Sequence, residues 1–210
     1  MHTLFDGVLR FQANDYEKNK EHFLTIGRRQ DPHTLFIGCS DSRVVPALIT
    51  STLPGELFVV RNIANIVPPY RDTGEYVSTT SAVEYALTVL DVANIVVCGH
   101  SNCGGCAALW RPENTERSPH TRHWLELAEP VKRKVEAHFT DRDTDVRERE
   151  WLTEQYNVLE QMRHLTTYPT VRERFKRGTL KVYGWHYIIE SGEVYNYNPA
   201  ARAFEKTEGR

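Results

Sequence analysis

Two short clusters hold most of the residues able to do chemistry in this 210-residue sequence. Cys39-Ser40-Asp41-Ser42-Arg43 offers a thiol, a carboxylate and a guanidinium. Gly99-His100-Ser101-Asn102-Cys103-Gly104-Gly105 offers an imidazole and a second thiol among glycines. Cys39, His100 and Cys103 together give two sulfur donors and one nitrogen donor. That set suits zinc, a borderline-soft ion that takes tetrahedral sulfur and nitrogen ligands. Three protein ligands leave the fourth position for water, the pattern of a catalytic site rather than a closed structural one.

Taken singly, each residue has a plainer reading: a buried cysteine is ordinarily a small hydrophobe, and a buried histidine a hydrogen-bonded core residue. The metal is favoured because both clusters directly follow short apolar runs. Cys98 lies inside such a run and is expected in the core. Cys106 follows two glycines at the start of a helix and takes a structural role. A redox pair of Cys103 and Cys106, spaced as Cys-x-x-Cys, is the main rival, but it uses neither His100 nor Asp41 and Arg43.

The runs that must position these residues are Thr34 to Gly38, Leu57 to Val60 and Asn94 to Cys98. They lack the alternation of a half-exposed strand and are separated by helical patterns, including Glu75 to Leu90. Buried parallel strands in an α/β sheet follow. Both chemical clusters then stand at the carboxyl ends of strands, where open α/β sheets place their ligands. Leu180 to Ile189 and Val194 to Tyr197 read as a terminal strand pair. Residues 119–177 read as charged helices with breaks near Asp141 and at Pro169, and residues 3–28 carry apolar positions at helical spacing.

Composition sets the outer bounds. Hydrophobic residues make up 40% and charged residues 26%, with a formal net charge of −2. No global field favours nucleic acid or an anionic membrane. No run approaches the ~18 apolar residues of a membrane span, and the first residues lack the apolar core of a secretion signal. The expected address is the cytoplasm, where four cysteines are free, ligating or catalytic rather than paired.

Cys39-Ser-Asp-Ser-Arg43, Arg61-Asn-Ile-Ala-Asn65 and His100-Ser-Asn-Cys103-Gly-Gly105 resemble the β-class carbonic anhydrases. The likeness runs from the Gln30 region through Gly105, and Gly184-Trp185 fits as well. It implies one zinc per chain and reversible hydration of carbon dioxide to bicarbonate by attack of zinc-bound hydroxide. Zinc lowers the pKa of bound water from ~15.7 to about 7. In the family, the carboxylate matching Asp41 accepts a hydrogen bond from the zinc-bound oxygen while Arg43 orients it. Released by Arg43, Asp41 would instead become a fourth ligand and block the site.

The resemblance also places Phe58, Ile63 and Tyr85 around the substrate pocket, with Tyr85 from a partner subunit, and gives Gln30 an amide contact to substrate oxygen. Gly104 and Gly105 are expected to let backbone N–H groups approach bicarbonate, since glycine has no Cβ in the way. Some bacterial members hold inhibitory bicarbonate with a Trp three residues before the first cysteine. Phe36 stands there in this sequence, beside a matching Arg61. Phe has no N–H donor, so the expected state is open, with Asp41 off the metal.

The expected architecture is a single domain over 1–210, with a mostly parallel sheet in the order 2-1-3-4, a C-terminal edge strand and flanking helices. Within it, 1–30 form an N-terminal helical arm, 31–110 the zinc-site core, 111–177 a helical region and 178–210 the C-terminal strands. The family implies that the arm extends over a neighbour in a homodimer or homotetramer. Hydrolysis of carbonyl sulfide or carbon disulfide on the same scaffold, and a non-enzymatic zinc or redox sensor, are the alternative functions.

Overall fold

The computed structural model describes residues 3–72, 77–139 and 145–208. Its strands are β1 (Thr34–Cys39), β2 (Leu57–Asn62), β3 (Asn94–His100), β4 (Lys181–Tyr187), β5 (Val194–Asn198) and β6 (Ala203–Lys206). They form one sheet in the order β2-β1-β3-β4-β5-β6. The first four are parallel, and β5 and β6 turn back antiparallel. The order 2-1-3-4 followed by a further strand is therefore present, and β6 is one strand more than expected. Only Phe204 in β6 is even half-buried, so the hydrophobic pattern that marks a strand is too short to read.

The helices are α1 (Leu4–Arg10), α2 (Lys20–Ile26), α3 (Pro46–Thr50), α4 (Val77–Thr88), α5 (Gly104–Ala108), α6 (Pro119–Leu125), α7 (Glu129–His138), α8 (Val146–Leu165) and α9 (Pro169–Lys176). Three starts are explained locally. Thr3 and Asp6 exchange side-chain and backbone hydrogen bonds as a capping box at α1, and the Asp145 carboxylate accepts the Arg147 N–H at α8. Pro169 opens α9 at its first turn, where its missing N–H costs nothing. The break expected near Asp141 and the first residues of the 75–90 helix lie outside the described residues.

β1 is buried along its whole length, as is β3 after Asn94, which is why their sequences run apolar without alternation. Leu35 and Ile37 face a core with Val83, Leu87, Val97, Val158 and Leu165, contributed by α4, β3 and α8. On the opposite face Phe36, Val96 and Cys98 pack with Trp185 and Tyr183. α8 lies close over β3 and β4 because both are bare beneath it. A Cβ on Gly99 would come within 2.6 Å of Val158 Cγ2, and one on Gly184 within 2.5 Å of the Met162 sulfur. Those two glycines set the height of α8 above the sheet.

The N-terminal segment is helical as expected, closed on itself by ring contacts among Phe11, Tyr16 and Phe23. Its outer apolar residues find no cover: Leu4 is 90% and Phe5 80% exposed. Among the described residues no helix is long and apolar enough to cross a membrane.

Candidate metal centre

Cys39 ends β1 and His100 ends β3, and these central neighbours pair in parallel through Gly38 and Cys98. Chain connections leave them in opposite directions, β1 toward β2 and β3 toward β4, so both residues sit at a switch point of the sheet. A turn after His100, with Asn102 in the left-handed region at φ 55°, brings Cys103 back toward Cys39. The two sulfurs stand 4.0 Å apart. All three donor atoms lie within 4.8 Å of one another, and all three residues are buried. Two thiolates held at ~2.3 Å by a tetrahedral ion would be separated by about 3.8 Å, so the observed spacing fits.

Two further observations test the fit. His100 Nδ1 meets the Ser101 carbonyl at 2.9 Å, which fixes the ring, while its buried Nε2 has no hydrogen-bond partner. That is the division expected of a metal-ligating imidazole. The Cys39 thiol is pushed up to about 12, first by the neighbouring Cys103 sulfur and then by burial. Cys103 is also raised, by the Cys106 thiol and by burial. Two buried sulfurs this close do not both ionise without a cation between them. The donor set therefore fits zinc.

Cys98 does not join. It is fully buried on the Phe36 face of the sheet, and burial pushes its thiol up to about 12. Cys106 lies on α5 in the core cluster that includes Cys39, Cys103 and Ala64.

Asp41 and Arg43 stand at the mouth. Arg43 Nε donates to Asp41 Oδ1 at 2.9 Å, its Nη2 to Oδ2 at 2.8 Å, and its backbone N–H to Oδ1 at 3.0 Å. Nη2 also reaches the Asn102 carbonyl at 3.1 Å, tying the two clusters together. The Arg43 guanidinium holds the Asp41 carboxyl well below the usual carboxylate range. Asp41 Oδ2 lies 3.9 Å from His100 Nε2.

A cleft of about 350 Å³ opens there, lined by Asp41, Ile63, Gly104 and Gly105 together with Asn114 and Thr121. The two glycines have different reasons. Nothing lies within 4 Å of a Cβ placed on Gly104, whereas one on Gly105 would meet Ala64 Cβ at 2.8 Å and Ile63 Cγ2 at 3.1 Å. Gly104 leaves open space in the cleft. Gly105, which also lines the cleft, has a packing reason of its own against the 63–65 turn.

Gln30, Phe58 and Tyr85 are elsewhere in the chain. Gln30 lies before the start of β1, in an open cleft with His33 and Leu90, with the whole length of that strand between it and Cys39. Phe58 is at the amino-terminal part of β2, four residues before Asn62, which pairs with Cys39. Its ring lies 5.8 Å from that of Tyr85 of α4, tilted by 33°. Within one chain none of the three meets the cysteines, because the strands carry them to the opposite end of the sheet. Ile63 does reach the cleft.

Residues of the quoted motifs support the site in ways their spacing did not indicate, and Trp124, Asn157 and Glu190 join them without any sequence signal. Arg61, matched above to a bicarbonate-holding residue, donates instead to the backbone carbonyls of Cys39 at 2.9 Å and Asp41 at 2.6 Å. Phe36 packs edge-on against Trp185. Ala64 and Asn65 have positive φ, a strained conformation for such residues. The turn is held by side chains: Trp124 donates to the Ile63 carbonyl, Asn157 to that of Ala64 and Asn62 to that of Ile66, at 2.8–2.9 Å. Ser101 and Asn102 both donate to Glu190.

The fold and the site define an α/β protein whose Cys-His-Cys group, able to hold a metal, stands at the carboxyl end of a parallel sheet. A carbonic anhydrase family model matches residues 34–194. A carbonic anhydrase of Helicobacter pylori is 44% identical over 207 residues, 97% of this chain and 93% of its own. One of Pseudomonas aeruginosa is 41% identical over 204 residues, 97% and 90% of the two chains. The solved β-carbonic anhydrase CcaA superposes with a TM-score of 0.92 at 36% identity, over 99% of this chain and 92% of that one. A tetrameric β-carbonic anhydrase of Sordaria macrospora gives 0.81 at 33%, over 92% and 94%. The chain belongs to the carbonic anhydrase family, in its β class.

Proposed function

We propose that the chain hydrates carbon dioxide reversibly to bicarbonate and a proton, with one zinc held by Cys39, His100 and Cys103. The observation that carries this reading is the meeting of three buried donors, one an unpartnered imidazole nitrogen, beside a carboxylate fixed by an arginine. Bound zinc supplies Lewis acidity that makes water nucleophilic near neutral pH. Asp41, kept ionised by Arg43, only accepts hydrogen bonds. Its Oδ2 therefore takes the proton side of the attacking oxygen and turns a lone pair toward substrate. Arg43 keeps that carboxylate from swinging onto the metal, the open form. Gly104 leaves room for an oxygen of bicarbonate, and Ile63 supplies an apolar wall.

Gln30, Phe58 and Tyr85 act, in this reading, at the site of a second copy. Tyr85 is 43% exposed and Gln30 is exposed, so both are available to a neighbour. The uncovered apolar residues of α1 and an open groove of about 530 Å³ beside Phe36, Leu57 and Trp185 support self-association. Four free thiols suit a reducing compartment, the cytoplasm.

Metal analysis of purified protein and of Cys39→Ser, with carbon dioxide and carbonyl sulfide offered in parallel, tests the assignment. One zinc per chain, lost in the variant, with carbon dioxide the preferred substrate, is expected. Turnover of carbonyl sulfide alone would replace it with the hydrolase alternative.

A further inference from the structure

Cys103 has a second neighbour, reached from α8 rather than from Asp41. Glu154, 3% exposed, accepts the Cys103 backbone N–H on Oε1 at 3.1 Å. Its Oε2 lies 3.0 Å from Nε2 of His186 on β4, which is fully buried. The His186 ring is backed edge-on by Trp151 at 4.7 Å. The cavity bordering Glu154, Cys103 and Cys106, about 140 Å³, shares no lining residue with the Asp41 cleft.

A carboxylate and an imidazole buried together are costly, and an apolar pair of similar volume would fill the space at least as well. Here one of the two carboxylate oxygens is committed to a single backbone N–H, that of a metal-ligand cysteine. Cys103 is the residue immediately before α5, with extended φ and ψ of −74° and 114°. Its N–H has no helical acceptor and would be left unsatisfied without Glu154. The carboxylate is in turn fixed in height, because Gly99 and Gly184 let α8 settle directly on β3 and β4.

We propose that Glu154, braced by His186, is a positioning residue for the Cys103 metal ligand: by holding the Cys103 N–H it fixes the backbone from which that sulfur reaches the metal. Partners of this kind behind a metal ligand typically change affinity 10–100-fold when removed. The inference rests on Cys39, His100 and Cys103 holding zinc.

The test compares the full chain with Glu154→Ala, Glu154→Gln and Leu165→Ala, a destabilising core change on the same helix but away from the site. Zinc affinity is read by chelator competition, and the cobalt-substituted proteins are read by their sulfur-to-cobalt absorption. Glu154→Ala is expected to weaken zinc binding about 10–100-fold and to alter the cobalt spectrum. Glu154→Gln, whose amide oxygen still accepts the Cys103 N–H, should stay within about threefold, and Leu165→Ala should leave spectrum and affinity unchanged. Affinity within about twofold for Glu154→Ala, an equal loss in Leu165→Ala, or a Gln variant as weak as Ala would each overturn the proposal. If the unmodified chain binds no zinc, or Cys39→Ser binds it equally well, the metal assignment itself fails.

Discussion

Arg43 engages both carboxylate oxygens of Asp41, at 2.9 and 2.8 Å, while Asp41 Oδ2 stands only 3.9 Å from the His100 nitrogen that faces the donor set. In the proposed zinc site the guanidinium would decide whether the carboxylate serves as an acceptor or turns toward the metal. Arg43→Ala is expected to lower carbon dioxide hydration by about 10–100-fold without loss of zinc. Arg43→Lys should recover little, since an ammonium cannot make the paired contact. Rates measured beside metal content check this, and a near-normal rate for Arg43→Ala would contradict it.

The neighbouring glycines separate packing from access. Gly105→Ala places a methyl 2.8 Å from Ala64 Cβ and should cost about 1–3 kcal/mol of stability. Gly104→Ala meets nothing within 4 Å and should melt like the unmodified protein while lowering hydration. Thermal melting and rates on the two variants decide it. Equal destabilisation by both would remove the distinction.

Glu160, 1% exposed, contacts Lys134 at 2.8 Å, Arg163 at 2.6 Å and His164 at 3.3 Å. Burial acts to raise its pKa, but His164, Arg163 and Lys134 outweigh burial and hold the carboxyl well below its usual range. A depressed carboxyl contributes stability that is full above its unfolded value, about 4.3, and is lost as pH falls through the folded one. Glu160→Gln should therefore cost about 2–3 kcal/mol near neutral pH. Its deficit should shrink below about pH 4. Melting curves at neutral and acid pH check the sign; a deficit independent of pH would oppose it.

Leu4 and Phe5, 90% and 80% exposed, are the contact expected if the chain self-associates as proposed. Replacing both with Glu should lower the solution mass by light scattering and reduce hydration, if Gln30, Phe58 and Tyr85 act across subunits. An unchanged mass would place the interface elsewhere.

The strands that carry Cys39 and His100 were legible because β1 and β3 are buried on both faces, so Thr34 to Gly38 and Asn94 to Cys98 read as apolar runs leading into the two chemical clusters. The support of the site was not. Glu154, Asn157, Gln161 and His164 form a buried polar row on α8, but charged and amide residues at helical spacing look the same in sequence as a solvated face. The Ile63–Asn65 turn depends on side chains contributed from α6 and α8, far away in the chain. Gln30 and Tyr85 were singled out by family likeness, and nothing local in the sequence indicates that the sheet carries them away from Cys39.

The most direct measurement is stopped-flow carbon dioxide hydration by protein of known zinc content, beside Cys39→Ser and Asp41→Ala. The account predicts fast hydration proportional to bound zinc, abolished in Cys39→Ser together with the metal, and strongly reduced in Asp41→Ala with the metal retained. Negligible hydration by protein carrying one zinc per chain, between about pH 7 and 9, would contradict it.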